Sequence, residues 1–488
     1  MTEAQTNSAQ PPPVTGADLH LELHGSRLRA GLTAALRDAV RTGRLAPGTR
    51  LPASRSLAAD LGVSRNTVVN SYAELVAEGW LTAQQGSGTR VADRTEPPPA
   101  TPEPPSAAPN SRRPRYGLLT GIPDLANFPR SQWLAAARRA LAAAPNDAFG
   151  YGDPRGRVEL RAALADYLAR ARGVYADADR IVVCSGFHHG LALIAHVLKE
   201  RQVRAVAVEA YGLDLYRDLL TNAGLDTPPL AVDEHGACTD DLARLPEAGA
   251  VLLTPAHQFP TGVALSPQRR AAAADWARAT GGLLLEDDYD GEFRYDRQPV
   301  GALQGLDPER VVYFGSASKS LAPGVRLGWI VPPPEMIPDI VAAKGYGDYM
   351  TSTLEQLTLA EFITSGGYDR HVRSMRQRYR RRREQLVAAL HQRAPGIRVA
   401  GMAAGLQTVL DLPPGTENSV IQRAARRGLA VSGLAQFAHQ APDARSPQPP
   451  RDGLVVNYAA PSDSAWTGTL EALCDAMPAS AIGSCSHA

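Results

Sequence analysis

The sequence contains very little lysine for a chain that is rich in arginine. Of its 488 residues, 51 are basic, and only three of these are lysines, at positions 199, 319 and 344. A GC-rich genome accounts for the bias as a whole. Arginine, however, replaces lysine as a charge and not as an amine nucleophile. Each remaining lysine is therefore a candidate for a chemical role that arginine could not fill.

Cysteines and long apolar runs are also scarce, which excludes several classes of protein. Cys184, Cys238, Cys474 and Cys485 are widely scattered and fit neither a disulfide framework nor a zinc ligand pattern. No apolar run approaches the roughly 18 residues that span a bilayer, and residues 1–14 lack the pattern of a secretory signal. With 44% hydrophobic residues, the chain can bury a core. We expect a globular, cytoplasmic protein without membrane association.

Proline-rich composition divides the chain. Residues 93–115 contain eight prolines in 23 positions, a composition that favours an extended, semi-stiff linker over a helix or a core. We therefore predict five segments. They are a disordered tail (1–18), a small domain (19–92), a linker (93–115), a large domain (116–480) and a second tail (481–488).

The small domain carries the pattern of a winged helix-turn-helix. In the first helix, which Gly43 ends, apolar residues recur every four positions. Ser54 is expected to cap a second helix over residues 55–61, and Ser64 is expected to cap a third. A helix, a short glycine turn and a helix form a helix-turn-helix. Residues 81–91, with glycines in the middle, predict a two-stranded wing.

Polar residues lie where such a fold meets DNA. Residues 20–92 contain nine arginines and five acidic residues, a bias that favours a polyanionic partner. The start of a recognition helix enters the major groove, where Arg pairs with guanine and Asn with adenine. A helix cap and a solvated arginine face are the alternatives for single residues. The predicted DNA contacts are Arg55, Ser64, Arg65, Asn66 and Thr67.

Residues 44–90 resemble the winged helix-turn-helix of the GntR family of bacterial regulators, over nearly the whole small domain. The resemblance implies that Arg55, Arg65 and Thr67 contact DNA and that Gly86 lies at the wing tip in the minor groove. It implies double-stranded operator DNA as the partner. The bases that are read do not follow from it.

In the large domain, short apolar runs alternate with amphipathic, Ala-rich stretches. This alternation is typical of an α/β fold with a mainly parallel sheet. The runs are residues 181–184, 205–208, 250–253, 283–285 and 311–314.

Three segments that follow these runs carry candidate chemistry, and a fourth, TPAHQFPTG, is rich in turn residues. In GSASKSLAPGVRLGW, Lys319 can form a Schiff base with an aldehyde, and Ser316, Ser318 and Arg326 can hold a phosphate. In LLLEDDYDGEF, a carboxylate at a strand end can keep a pyridine nitrogen protonated. In CSGFHHGLALIAHVL, Gly186 opens a helix whose free N–H groups suit phosphate. A surface lysine and a solvated acidic loop remain the alternatives for the first two.

The adjacent histidines of the third segment, His188 and His189, do not predict a metal site. Neighbouring residues on a helix point apart, and no other ligand cluster accompanies them. We therefore expect no metal.

The order and spacing of these segments resemble the fold-type I aminotransferases, which use pyridoxal 5′-phosphate (PLP), from about residue 121 to residue 462. By this resemblance, Lys319 is the Schiff-base lysine, Arg326 the phosphate arginine and Asp287 the partner of the pyridine nitrogen. Because Glu286 and Asp288 flank Asp287, the register stays open by one residue.

The same resemblance implies that Tyr289 bonds the ring hydroxyl and that Tyr211 stacks on the ring. Tyr151 would reach the phosphate bound to the partner subunit, in a head-to-tail homodimer. A GntR-type DNA-binding domain joined through a long linker to an aminotransferase-like domain resembles the MocR subfamily of regulators.

Two departures from the aminotransferase pattern favour a regulator over an enzyme. Val455 stands where an arginine would clamp the substrate carboxylate, and Leu213 stands where GABA-sensing MocR members keep a second arginine. Arg451 is close enough in sequence to substitute. The chain then resembles the PdxR-type regulators, which sense PLP through a lysine aldimine, here at Lys319, and control vitamin B6 synthesis genes.

Two other functions stay open. One is a PLP-dependent sensor of an amine or amino acid, such as GABA, taurine or a D-alanyl peptide. The other is a working aminotransferase with an added DNA-binding domain. Of the three lysines, only Lys319 lies in a cofactor motif. Lys199 is expected at the polar end of a helix, and no motif surrounds Lys344.

Overall fold

The computed structural model describes residues 28–84, 88–93, 114–295, 301–345, 347–439 and 451–478. The chain divides into two compact units, Met1–Ser111 and Arg112–Ala488, and the division falls inside the predicted linker. Most of that linker, both predicted tails and Gly86 lie outside the described residues. The exact domain boundaries stay predictions.

The small unit packs three helices and a two-stranded wing around one core. Leu32, Leu36, Val68 and Leu75 are fully buried, because spacings of three and four residues place them on one face of each helix. The two strands are antiparallel. The elements are α1 (Leu28–Arg41), α2 (Ser54–Asp60), α3 (Arg65–Ala77), β1 (Leu81–Gln84) and β2 (Gly88–Val91). The predicted helix-turn-helix and wing are confirmed.

The two predicted helix caps of this unit have different outcomes. Ser54 is not a cap, because α2 begins at Ser54 itself and the N-cap is Ala53, which makes no side-chain bond. The chain enters the helix one residue early, since the Ala53 carbonyl already accepts from the Leu57 amide. Ser64 is the N-cap of α3, where its Oγ accepts from the Thr67 amide at 3.1 Å.

The large unit contains a seven-stranded mixed sheet and a four-stranded antiparallel sheet. Its helices are α4 (Arg130–Ala143), α5 (Val158–Arg172), α6 (Phe187–Glu200), α7 (Asp214–Asn222), α8 (Pro267–Thr280), α9 (Ala317–Ser320), α10 (Ile337–Gly345), α11 (Thr353–Thr364), α12 (Gly367–Arg393), α13 (Glu417–Arg426) and α14 (Asp463–Ala476). Its longer strands are β4 (Val182–Cys184), β5 (Ala205–Glu209), β9 (Ala248–Leu253), β10 (Leu283–Asp287), β11 (Val311–Ser316), β12 (Gly328–Val331), β14 (Gln407–Asp411) and β17 (Gly453–Asn457). The two-residue strands are β3 (Tyr116–Gly117), β6 (Pro229–Leu230), β7 (Val232–Asp233), β8 (Gly236–Ala237), β13 (Arg398–Val399), β15 (Leu429–Ala430) and β16 (Ser432–Gly433).

The large sheet has the strand order β4-β12-β11-β10-β9-β5-β6. Strand β10 is parallel to β9 and β11, and β5 is parallel to β9 and β6. Only β12 reverses the direction, antiparallel to both β11 and β4. The predicted α/β class with a mainly parallel sheet is confirmed. The five apolar runs correspond to β4, β5, β9, β10 and β11.

Helices cover both faces of this sheet. Because side chains alternate along a strand, Val182 and Cys184 join the hydrophobic cluster against α6, while Val183 joins the cluster against α5 and α11. Strands buried on both faces read as continuous apolar runs, which is the signal that the sequence carried. None of the described helices is long and apolar enough to cross a bilayer.

Candidate functional site

A cavity of about 140 Å³ lies at the carboxyl ends of the parallel strands β5, β9 and β10. Open α/β sheets bind ligands in crevices at this edge. The loops that follow the strands bring distant parts of the chain together. Among the lining residues are Lys319, Asp287, Tyr289, Tyr211, Glu209 and Arg217.

Lys319 lies in the short helix α9, directly after β11. Its Nζ donates a hydrogen bond to the carbonyl of Gly121 at 2.7 Å. Burial lowers the pKa of Lys319, while Asp287 and Asp290 act in the opposite direction. A lowered pKa increases the fraction of neutral amine, which is the nucleophilic form. The residue singled out by the lysine count therefore lines a cavity as an activated amine.

Of the three consecutive acidic residues at the end of β10, one lines the cavity. Asp287 lines the cavity. Glu286 faces the other side and accepts from the Leu303 and Gln304 amides. Asp288 forms a buried bidentate pair with Arg172 at 2.6 and 2.9 Å. Of these three acidic residues, the strand's two-residue period therefore places only Asp287 at the cavity.

Asp287 is a buried carboxylate without a hydrogen-bond donor among the described residues. It is 6% exposed, and none of the groups in the described parts of the chain hydrogen-bonds to it. Burial raises its pKa, and the charge of Lys319 opposes that shift. A protonated ring nitrogen is a donor that would satisfy such a carboxylate.

Tyr289 is held by a polar network behind the cavity. Gln407 Nε2 donates to its Oη at 2.9 Å. His257 Nδ1 lies 3.0 Å from both Tyr289 Oη and Asp290 Oδ2. A carboxylate can only accept, so we assign the Nδ1 proton to the bond with Asp290. The Tyr289 oxygen then accepts from Gln407.

The N-terminus of α6 forms an anion cradle. Its N-cap is Gly186 at φ +108°, a conformation that favours glycine. A Cβ added there would lie 3.7 Å from an Arg326 guanidinium nitrogen and 4.0 Å from Ser318 Oγ. The helix amides, a hydroxyl and a guanidinium thus converge on one small space, which suits a phosphate group.

Ser316 and Arg326 play different parts in this cradle. Ser316 Oγ donates to Ser318 Oγ at 2.8 Å and accepts from the Ser318 amide, so it orients Ser318. Arg326 has a left-handed backbone at φ +55°, which costs about 1–2 kcal/mol for a non-glycine residue. Such conformations concentrate at functional sites.

The predicted aromatic residues lie in different places. Tyr211 is buried and lines the cavity. Tyr151 is 95% exposed and outside the cavity of its own chain, with its ring against Tyr349. Sequence reasoning missed Tyr216, which also lines the cavity and packs on Phe187 at 4.7 Å between ring centroids. Two rings, Tyr211 and Tyr216, are therefore available to a flat ligand.

Sequence reasoning also missed Glu209, the last residue of β5. Its carboxylate accepts from Thr254 Oγ1 at 2.5 Å and from Gln258 Nε2 at 3.2 Å. Burial raises the pKa of Glu209 to about 7. Thr254 and Gln258 come from the turn-rich segment TPAHQFPTG, which gives that segment a place in the site.

Part of the cavity wall is apolar and includes Leu213 and Phe259. Val455 is fully buried in a cluster with Tyr211 and Phe259, and Leu213 packs against that cluster. Arg451 pairs with Asp411 at 2.9 Å. The positions compared with substrate-clamping arginines are thus apolar, and the predicted substitute is already paired. A different arginine, Arg217, lines the cavity.

Lys344 is the second buried lysine, although no motif surrounds it. Its side chain is completely buried, and Nζ donates to the Pro154 carbonyl at 2.7 Å. The loop that it holds begins at Tyr151. An amine removed from water is stable only with an acceptor, which the Pro154 carbonyl provides. Lys199 is exposed at the end of α6, as expected.

In the small unit, the predicted DNA contacts lie at the start of α2 and α3. Arg55, Ser64, Arg65 and Asn66 are exposed, and Thr67 is half-buried. Ser64 Oγ also bonds Thr67 Oγ1 at 2.8 Å, so the hydroxyl pair forms the first turn of the helix. Gly86 lies outside the described residues. Two further arginines, Arg50 and Arg90, lie at the base of the wing, where they form a β-bridge.

Ion pairing sorts the arginines of this unit into two groups. Arg29 pairs with Glu74, Arg37 with Glu78, and Arg41 and Arg44 with Asp38. In the described part of the unit, four arginines form no ion pair, namely Arg50, Arg55, Arg65 and Arg90. The free cations thus include both arginines predicted to contact DNA.

Comparisons with known proteins agree with both units. Residues 28–91 match the family of bacterial regulatory proteins of the gntR type, and residues 117–445 match aminotransferase class I and II. A probable rhizopine catabolism regulatory protein, MocR of Rhizobium meliloti, is 33% identical over 87% of this chain and 88% of its own length. The HTH-type pyridoxine biosynthesis transcriptional regulator PdxR of Corynebacterium glutamicum is 33% identical over 83% of this chain and 88% of its own.

An archaeal alanine:glyoxylate aminotransferase has a similar structure. It matches 74% of this chain and 89% of its own with a TM-score of 0.67, at 23% sequence identity. At that identity the likeness bears on the fold alone. It agrees with the mixed, mainly parallel sheet of the large unit.

Proposed function

The chain belongs to the MocR-type transcriptional regulators, which join a gntR-type helix-turn-helix to an aminotransferase class I and II domain, and on that premise we propose that it senses PLP. The ligand enters the cavity of the large unit, and its binding alters the affinity of the small unit for operator DNA in the cytoplasm. The relative PdxR is named as a regulator of pyridoxine biosynthesis. By analogy, the genes that this chain controls are those of vitamin B6 synthesis.

The donor set of the cavity fits PLP at each of its functional groups. The amides of α6 with Ser318 and Arg326 would hold the phosphate, and Asp287 would accept from the ring nitrogen. Tyr289 would donate to the ring oxygen, and Tyr211 would cover the ring. When bound, PLP supplies an aldehyde that condenses with amines, and Lys319 is the amine of this chain that lines the cavity.

One observation supports sensing over turnover. The residues that would bind PLP are present, while Val455 and Leu213, the two positions compared with substrate-binding arginines, are apolar and pack in one hydrophobic cluster. A transaminase orients its amino acid by a bidentate arginine–carboxylate pair, and a misplaced substrate reacts far more slowly. We therefore propose that the chain holds the cofactor without turning over amino acids.

We further propose a head-to-tail homodimer with shared sites. Tyr151 is almost fully exposed, and Phe149, two residues before it, is 54% exposed. Exposed apolar patches mark interaction sites. A second copy of the chain would cover this surface and receive Tyr151 at its phosphate.

The proposal is tested by selecting operator DNA with and without PLP. Fragmented genomic DNA is incubated with the full-length protein, and bound fragments are sequenced at several PLP concentrations. We expect one set of fragments whose enrichment changes with PLP. Enrichment that is the same at every PLP concentration would refute PLP sensing.

A turnover assay separates the regulator from an enzyme. The PLP-loaded protein is mixed with an amino acid and an oxo acid, and product is followed over many equivalents of protein. We expect no multiple turnover. Sustained product formation would establish the aminotransferase instead.

A further inference from the structure

A second pocket of the large unit, of about 410 Å³, lies outside the proposed PLP site. Its lining residues come from the end of α5, from the loop after β10 and from the first half of α12. None of them lines the cavity that contains Lys319. A pocket of this volume accommodates a small molecule. Five of its lining residues are arginines, namely Arg170, Arg172, Arg294, Arg373 and Arg376.

Two of these arginines already have a carboxylate partner. Arg172 forms the buried pair with Asp288 that is described above. Arg170 pairs with Asp369 at 3.0 Å. These two charges are therefore balanced within the protein.

Arg373 and Arg376 are not balanced in this way. They lie three residues apart on α12 and so share one face of the helix. Neither forms an ion pair with a carboxylate of the described residues. Nε of Arg376 donates to the main-chain carbonyl of Glu292 at 2.9 Å, which fixes the guanidinium and leaves its Nη groups for a ligand. Like charges on one helix face repel each other, and an anion bound by both would remove that repulsion.

Glu292 carries the remaining carboxyl group of the pocket. It is buried, and its Oε1 lies 3.5 Å from the hydroxyls of Tyr167 and Tyr368. Burial, together with the charge of Asp288, raises the pKa of Glu292 to about 7. Part of its negative charge is therefore absent at neutral pH, and the protonated carboxyl is a hydrogen-bond donor.

The chemistry of these groups fits a phosphate dianion. Arginine binds phosphate oxygens through paired N–H donors. A phosphate ester carries a charge of about −1.5 to −2 at neutral pH, which matches two arginines without counter-ions. Arg376 is half-buried beside the buried Glu292. A recess of this kind favours a small molecule over the backbone of a nucleic acid, which is bound by exposed cations.

We propose that Arg373 and Arg376 form a binding site for a small phosphate dianion, separate from the anion cradle at Gly186. The inference goes beyond the proposed function and does not rest on it, because none of the residues of this pocket is assigned to PLP. It gives the large unit a second ligand, which is either a phosphate ester or inorganic phosphate.

Phosphate binding to the full-length, PLP-free protein tests this site. Arg326→Gln is introduced first, because it removes the arginine of the anion cradle and leaves the second pocket unchanged. Inorganic phosphate, glycerol phosphate and glycerol are then titrated by calorimetry at constant ionic strength. We expect phosphate to bind with one equivalent and glycerol not to bind. Tighter binding of glycerol phosphate would identify an ester as the ligand, and equal or tighter binding of inorganic phosphate would identify the free ion.

Three further substitutions in the same background assign the site. Arg373→Gln and Arg376→Gln are each expected to weaken phosphate binding about 10- to 100-fold, as for the loss of a charged hydrogen bond. Arg381→Gln is the matched control, because Arg381 is exposed on the same helix and does not line the pocket. Its phosphate affinity should stay within about twofold.

Three results would overturn the inference. The first is the absence of phosphate binding once Arg326 is replaced, because the anion cradle would then account for all of it. The second is an equal loss in Arg381→Gln and Arg373→Gln, which would mean that total charge determines binding. The third is displacement of phosphate by duplex DNA of random sequence, which would assign these arginines to a DNA-binding surface. PLP binding is measured separately in the wild type, so the proposed function and this inference can fail independently.

Discussion

The two units of the chain differ in the charged groups that are available to a ligand. In the described part of the small unit, exposed arginines without an ion pair, such as Arg55 and Arg65, lie at the starts of α2 and α3. In the large unit, the carboxylate of Asp287 is buried at a cavity without a hydrogen bond from any described group, beside the partly buried amine of Lys319. Exposed cations suit a long polyanion such as DNA, whereas buried groups suit a small molecule that the protein encloses.

This difference predicts opposite consequences for substitutions in the two units. Removing a free group from the cavity should change ligand binding or stability and leave the DNA surface intact. Removing a free surface arginine should change DNA affinity and leave the stability almost unchanged.

The largest effect is expected for Lys319→Ala. Without its amine, the cavity cannot attach PLP covalently, so borohydride trapping followed by mass spectrometry should find no PLP on the protein. Lys199→Ala removes an exposed lysine and is the control, with labelling as in the wild type. PLP trapped on Lys344 in the Lys319→Ala variant would contradict the assignment.

Adjacent carboxylates should give contrasting results. Asp288→Asn leaves the buried Arg172 without its carboxylate and is expected to lower the free energy of unfolding by about 3–5 kcal/mol. Asp287→Asn removes a carboxylate whose pKa burial raises. It should leave the PLP-free protein as stable or more stable at neutral pH, and weaken PLP binding at least about tenfold.

Thermal unfolding and a PLP titration measure both effects of this pair. Destabilisation by Asp287→Asn with no change in PLP affinity would mean that Asp287 has a structural role only.

Glu209 should contribute a pH-dependent stability. Its pKa in the folded protein is about 7, above the value of about 4.3 in an unfolded chain. The folded state therefore holds the proton more tightly, and the free energy of unfolding falls as the pH rises from about 4 to 7. In Glu209→Gln, this pH-dependent fall in the free energy of unfolding should be smaller by roughly 3 kcal/mol. Thermal unfolding of the PLP-free protein between pH 5 and 8 measures it.

The exposed Glu234→Gln is the matched control for Glu209. It should keep the pH dependence of the wild type. A wild-type profile retained in Glu209→Gln would show that other groups carry the whole effect.

The smallest single-site effect is expected at the recognition helix. Arg65→Ala should cost about 1–3 kcal/mol of operator affinity. Arg37 is paired with Glu78 at 2.7 Å, so Arg37→Ala should leave DNA affinity within about twofold. Fluorescence anisotropy with the selected operator measures both. Equal losses in the two variants would mean that total charge, and not the free arginines, determines binding.

Local patterns of the sequence were sufficient to predict the architecture and two of the residues that line the cavity, Lys319 and Asp287. The apolar runs predicted five strands of the large sheet, because a strand buried on both faces is continuously apolar. Ser64 was predicted as a cap from its own neighbourhood. Lys319 and Asp287 lie in short segments whose own residue types indicate the chemistry of these two side chains.

Contacts between distant segments could not be read in this way. The burial of Lys344 depends on the carbonyl of Pro154, which lies 190 residues away. The position of Arg217 at the cavity depends on Phe437, which is 220 residues away. Arg451, just before β17, pairs with Asp411 at the end of β14. Its guanidinium therefore already has a counter-ion. Ser54 is not a cap, because α2 begins one residue earlier than predicted and its N-cap is Ala53.

The measurement that tests the central claim most directly is the affinity for PLP with and without saturating operator DNA. Linkage requires that DNA changes the PLP affinity by the same factor as PLP changes the DNA affinity, typically about 5- to 150-fold for coupled sites. We predict equal factors from the two titrations in the wild type. An identical PLP affinity with and without operator DNA would contradict the account.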